Sequence, residues 1–190
     1  MAAFDKSRHC FASVFAALLL AGCVAAPTVP IASLSYQSDS TQRQRNLLVL
    51  LRGIGDDNTV FDKEGIIDEI HNRRLPFDVI APDTHFGYYQ SKTIEDRLKH
   101  DIIDPARRQG YEQIWLAGFS MGGLGSLLYV RRYPDDIDGV LLSSPFLGRQ
   151  SIHREIHRAG GIAAWSAASD DPQDWDRMLD VNLKSVFLCM

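Results

Sequence analysis

Gln113-Ile114-Trp115-Leu116-Ala117-Gly118-Phe119-Ser120-Met121-Gly122-Gly123 is the stretch whose reading decides the fold. Gln113 to Ala117 is predominantly apolar and reads as a short strand. It runs into G-x-S-x-G, and a helical run, Leu124 to Tyr133, follows before Pro134 closes it. This is the nucleophile-elbow pattern, in which a serine sits at the tip of a strained strand-to-helix turn. Gly118 and Gly122 flank Ser120 because a side chain at either position would collide across so tight a turn. Met121, first in the helix, would then aim its N–H at a developing oxyanion. A glycine-rich turn of no chemical role is the competing reading, and the context on both sides favours the elbow. Dinucleotide binding is excluded, since Gly118, Gly122, Gly123 and Gly125 do not spell G-x-G-x-x-G.

The start of the chain reads as a targeting segment. Lys6, Arg8 and His9 give a basic beginning, Phe11 to Ala21 is almost wholly apolar, and Gly22-Cys23 follows. Such a run is too short to span a bilayer and has the layout of a secretory signal. Leu20-Ala21-Gly22-Cys23 is similar to the bacterial lipoprotein signal. That resemblance implies cleavage before Cys23, lipidation of Cys23, and a product anchored to a membrane of the bacterial cell envelope, facing the periplasm. A plain signal peptide with a chance cysteine is the alternative. Residues 1–22 are thus assigned to the signal and 23–45, rich in Pro, Ser, Gln and Thr, to a flexible tether. Cys10 would leave with the signal and Cys23 would carry lipid, so no disulfide framework is expected around Cys189. The net charge of −4 is scattered, with no basic stripe, which argues against a nucleic-acid partner.

The folded part is expected to start near Asn46. Asn46 to Arg52 is a continuous apolar run closed by arginine, as in a strand buried on both faces of a parallel sheet. It ends in Gly53-Ile54-Gly55-Asp56-Asp57, a tight loop from which Ile54 N–H is the candidate second oxyanion donor. A mere strand-to-helix turn is the alternative there. Asp62 to Arg73 has helical spacing, with Asp62 as its cap. Phe77 to Ala81 is a second buried strand, and the residues after it, Asp83, His85, Tyr88 and Tyr89, are candidates for the pocket mouth, with His85 and Tyr88 as candidate substrate contacts. For any single one of them, a loop packed by its own aromatics is the better reading. Thr93 to Gln109 is a helix with Ile94, Leu98, Ile102 and Ile103 on one face, kinked or restarted at Pro105 and closed by Gly110. Gly139 to Ser144 is the next strand. This alternation predicts an α/β fold with a doubly wound, mostly parallel sheet.

In that order, NLLVLLRGIGDD (46–57), APDTHFGYY (81–89), IWLAGFSMGGLGSLLYVRRYP (114–134) and GVLLSSPFLG (139–148) resemble an α/β-hydrolase of the esterase/lipase type. The resemblance implies Ser120 as nucleophile, Ile54 and Met121 as oxyanion donors, and acyl transfer to water through an acyl-enzyme. It implies a small-molecule ester substrate and neither metal nor organic cofactor.

Beyond Gly148 the chain departs from that pattern. The family's acid and histidine follow the serine, and here only His153 and His157 do so, on a charged helical stretch (RQSIHREIHRA, 149–159). Their spacing would suit a metal pair, but no third ligand is near, and a solvated helix face is the better reading. Residues 174–190, DWDRMLDVNLKSVFLCM, look like the central helix of short-chain dehydrogenases/reductases, with Asn182 at that family's supporting asparagine. The dehydrogenase's glycine loop and Tyr-x-x-x-Lys pair are absent. The chain is therefore expected to hold an incomplete hydrolase core, 46–150, truncated at its C-terminal side, and a foreign helical tail, 151–190. Three functions compete: a tethered serine hydrolase impaired by the missing acid and histidine, a non-catalytic lipoprotein on the same scaffold, and, far behind, an oxidoreductase fragment. The sequence does not set the oligomeric state.

Overall fold

A computed structural model describes residues 25–38, 44–147, 150–161 and 164. Five strands form one sheet in the order β1-β3-β2-β4-β5. They are β1 (Ser33–Tyr36), β2 (Asn46–Leu51), β3 (Asp78–Pro82), β4 (Gln113–Phe119) and β5 (Gly139–Ser143). β3, β2, β4 and β5 run parallel, and β1 joins β3 antiparallel through the register Ser33↔Pro82 to Tyr36↔Val79. This is the α/β architecture the sequence predicts.

Central position explains the composition of β2. Leu47, Val49 and Leu51 enter one core layer, and Leu48 and Leu50 enter the layer on the other face. All five are buried, each removal from water contributing roughly 2 kcal/mol. The short helices α1 (Val60–Lys63) and α2 (Ile66–Asn72) cover one face through Phe61, Ile67 and Ile70. The other face carries α3 (Phe86–Gln90), α4 (Ile94–Arg97), α5 (Asp104–Arg108) and α6 (Met121–Arg132), with Ile94, Leu98, Ile102 and Ile103 buried as their spacing predicts. The last described helix, α7, spans Gln150–Arg158. No described helix is long and apolar enough to cross a membrane.

Three local expectations are corrected. Residues 33–36, assigned to a tether, form β1, so the folded part begins before Asn46. Leu34 and Tyr36 pack on the core while Ser33 and Ser35 point away, a period-two pattern too short to register in a polar segment. The helix expected over 62–73 is two helices, because Gly65 takes a left-handed φ of 72° between them; Thr59 and Gly65, not Asp62, occupy the N-cap positions. The helix of 93–109 is continuous but contains a π-helical turn, Leu98–Ile103, before Pro105. A proline lacks the N–H that an α-turn needs and crowds the carbonyl four residues back, and a wider turn relieves both. Gly139–Ser143 is the strand expected there, at the edge of the described sheet, and it leaves Leu141 and Leu142 exposed. The assignments at residues 1–23, including Cys23 lipidation, and at the tail from 165 on, including Asn182, lie outside the described residues.

Candidate active site

Chain order reverses direction between β2 and β4: from β2 the sheet grows first to β3 and then, across β2, to β4 and β5. The C-terminal ends of β2 and β4 therefore diverge into loops on opposite sides, which opens a crevice at the top of the sheet. Both loops singled out in the sequence end there.

Ser120 is the hinge between β4 and α6. Its φ of 51° and ψ of −113° are a conformation that L-residues rarely adopt, as a nucleophile elbow requires. Neighbouring backbone holds it there. Ser120 N donates to Ser143 O at 3.1 Å, and Ser120 O accepts from Phe146 N at 2.9 Å and Gly123 N at 3.0 Å. The flanking glycines are needed for the reason expected. A β-carbon on Gly118 would lie 2.5 Å from Gly122 O, and one on Gly122 would lie 2.0 Å from Leu51 O. Gly123 is as tightly constrained, since its β-carbon would stand 2.7 Å from the Pro145 ring. The result is an exposed serine over a helix start. Met121, first residue of α6, has no carbonyl four residues back within the helix for its N–H, which leaves that N–H for a ligand.

The second loop adjoins the first. A β-carbon on Gly53 would stand 3.5 Å from Ser120 Cβ, so the start of 53–57 abuts the serine. Ile54 follows with its side chain 58% exposed, leaving its backbone to carry any contribution here. Arg52, which precedes both, went unrecognised in the sequence. It is buried, donates from Nε to Asp83 Oδ1 at 2.8 Å, and donates from a terminal nitrogen to Gly53 O at 3.1 Å. A charged residue closing an apolar strand immediately before Gly-x-Gly was the available signal.

The loop after β3 is packed by its own aromatics, the reading preferred for each of its residues, and not lined up as a pocket mouth. Tyr88 is fully buried, and its hydroxyl is occupied by Thr28, so it is a core residue and not a substrate contact. Tyr89 is equally buried. His85 caps α3: its Nδ1 accepts the Gly87 N–H at 3.2 Å, and its ring packs against Tyr88 at 4.4 Å. Burial lowers its pKa, the Asp83 carboxylate opposes this, and the Arg52 charge lowers it further. A neutral imidazole accepting at Nδ1 carries its proton on Nε2, so it is a donor on its free side and not a base. Asp83 faces Arg52.

Among the described residues, none hydrogen-bonds to the Ser120 hydroxyl. His157 lies exposed on α7, and the side chain of His153 is outside the described residues. The site thus unites a strained serine, a helix N-terminus and a pinned glycine loop. These are the kinds of group from which an oxyanion site is built.

A family model described as serine aminopeptidase, S33, matches residues 91–170. Among solved structures, a Bacillus licheniformis lipase in mature form aligns with 82% of this chain and 63% of its own, at 12% identity and a TM-score of 0.54. A ferulic acid esterase aligns with 78% of this chain and 60% of its own, at 15% identity and a TM-score of 0.52. A monoacylglycerol lipase of Paleococcus ferrophilus is 24% identical over 68% of this chain and 49% of its own, with a TM-score of 0.48. The chain spans only about half to three fifths of the length of such structures. Compared by sequence with curated proteins, it matches none. Sheet order, elbow and neighbours agree: the chain has the α/β-hydrolase fold, and its residues 91–170 resemble the serine aminopeptidase family.

Proposed function

We propose that this chain is a serine hydrolase of the carboxylester class, acting through an acyl-enzyme on Ser120. The single observation that carries the reading is the exposed Ser120 at φ 51° between β4 and α6, abutting Gly53. In the proposed step, Ser120 Oγ attacks an ester carbonyl and its proton passes to a base. The carbonyl oxygen becomes an oxyanion that accepts from Met121 N–H and Ile54 N–H. The alkoxide or alcohol then leaves, and water cleaves the acyl-serine. The lipase and esterase neighbours support a small ester as substrate.

Turnover is expected to be impaired. The absence of a hydrogen-bonded partner for Ser120 among the described residues supports this. Without a base the hydroxyl stays protonated, and losing a triad member costs several orders of magnitude while the oxyanion hole retains a residual rate. The same observation favours a second reading, a non-catalytic protein on this scaffold. Labelling with a fluorophosphonate probe, with Ser120→Ala as control, separates the two. Labelling that vanishes in the variant supports the enzyme; no labelling of folded protein supports the scaffold.

The membrane anchor forms part of the same proposal, supported by the basic start, the apolar run and Leu20-Ala21-Gly22-Cys23. Metabolic labelling with a palmitate analogue tests it. Loss of label and of membrane association in Cys23→Ser is the expected outcome, and unlabelled wild-type protein would remove the anchor from the reading.

A further inference from the structure

We infer that Arg52 is a positioning residue for the oxyanion hole, acting through the peptide between Gly53 and Ile54, with Asp83 as its anchor. This deepens the hydrolase reading and rests on it. The geometry is specific. Arg52 closes the central strand β2, and the residue is 5% exposed although it carries a permanent charge. Its guanidinium has two fixed partners on different elements. One is Asp83 Oδ1, just past β3, at 2.8 Å; the other is the carbonyl of Gly53, the next residue in the chain, at 3.1 Å.

The second contact matters because a peptide unit is planar. Gly53 C=O and Ile54 N–H belong to one trans amide and point in opposite directions. Holding the carbonyl on a buried cation therefore fixes the direction of Ile54 N–H, the group proposed as oxyanion donor. Glycine at 53 has wide rotational freedom, so without the clamp this peptide could turn over at little steric cost. A charge-assisted bond to the carbonyl also polarises the amide, which strengthens the N–H as a donor. Asp83 completes the device: one carboxylate oxygen on Nε leaves a terminal guanidinium nitrogen to reach Gly53. A lysine has one nitrogen at its tip and cannot reproduce that fork. Arg52 touches no reacting atom in this scheme.

The test compares p-nitrophenyl butyrate with its thiono analogue, in which a C=S acceptor makes poor use of oxyanion donors. Wild type, Arg52→Lys and Asp83→Asn are assayed as the full chain, with urea unfolding as the check on folding. The expected result is a fall in kcat of about tenfold to a hundredfold in Arg52→Lys with KM little changed, as for loss of a transition-state contact. The oxygen-to-sulfur rate ratio should shrink in the same proportion, and a merely structural lesion would leave that ratio alone. Asp83→Asn, nearly isosteric, should lose less in both readouts; it carries the test if Arg52→Lys does not fold. Folded variants with the wild-type ratio would overturn the assignment while leaving the hydrolase reading intact. A folded wild-type protein that neither turns over the ester nor takes up a fluorophosphonate would overturn both.

Discussion

Gly122 and Leu51 are in backbone contact: a β-carbon on Gly122 would stand 2.0 Å from the Leu51 carbonyl oxygen and 2.7 Å from that of Arg52. The start of helix α6 is thereby seated against the end of the central strand. This is what brings Ser120 beside Gly53. Neither obstructing atom belongs to a flexible side chain. Gly122→Ala should therefore cost at least about 3 kcal/mol, beyond the ordinary range of overpacking. Urea unfolding measures it, and a loss under about 1 kcal/mol would mean that the elbow opens freely.

Ser120 holds a backbone conformation suited to glycine, at φ 51° and ψ −113°. Strain of that kind costs about 1–3 kcal/mol, and glycine relieves it at an entropic cost of about 0.5–1 kcal/mol. Ser120→Gly should accordingly be more stable than Ser120→Ala by about 1 kcal/mol. Both lack the hydroxyl, so the pair isolates the backbone. Thermal unfolding of the two side by side decides it; equal midpoints would place the strain elsewhere.

His85 is expected to tie stability to pH. Burial sets its folded pKa below the ordinary histidine value, with Asp83 opposing and Arg52 reinforcing that shift. The unfolded chain then takes up its proton first as pH falls. The stabilisation is thus fully present above the unfolded value of about 6.5 and is lost as pH falls through the folded pKa. His85→Asn keeps a capping acceptor for Gly87 N–H but does not titrate. Unfolding free energies at pH 7.5 and 5.5 should differ less in the variant than in wild type. Identical differences would release His85 from this role.

Tyr89 and Gly125 form a coupled pair. A β-carbon on Gly125 would lie 2.5 Å from the Tyr89 hydroxyl, and that buried hydroxyl has no partner of hydrogen-bond geometry among the described residues. Tyr89→Phe should be neutral or stabilising by up to about 1 kcal/mol, since it removes an unsatisfied polar group. Gly125→Ala alone should cost about 1–3 kcal/mol, and less in the Tyr89→Phe background. A double-mutant cycle with no coupling would show that the ring moves aside unaided.

The elbow was legible in sequence because its chemistry imposes residue types at fixed spacing: an apolar strand, glycine at 118 and 122, serine between them. The core helices were legible for a similar reason, with Ile94, Leu98, Ile102 and Ile103 falling on one face by periodicity alone. β1 was not, because four residues of mixed polarity at a sheet edge carry too short a pattern. For Tyr88 and His85 the sequence offered both a place at the pocket mouth and a loop packed by its own aromatics, and the contacts with Thr28, with Gly87 and between the two rings bear out the second.

What the sequence determined by itself was the alternation of strands and helices and the place of the elbow serine, since both are written in local, repeating constraints. The tertiary structure alone decided that Arg52 spans Asp83 and Gly53, and that Gly53 meets Ser120. Those contacts join residues 31 and 67 positions apart. Their geometry depends on sheet order and on the close seating of α6 against β2, and no local pattern of residue types encodes either.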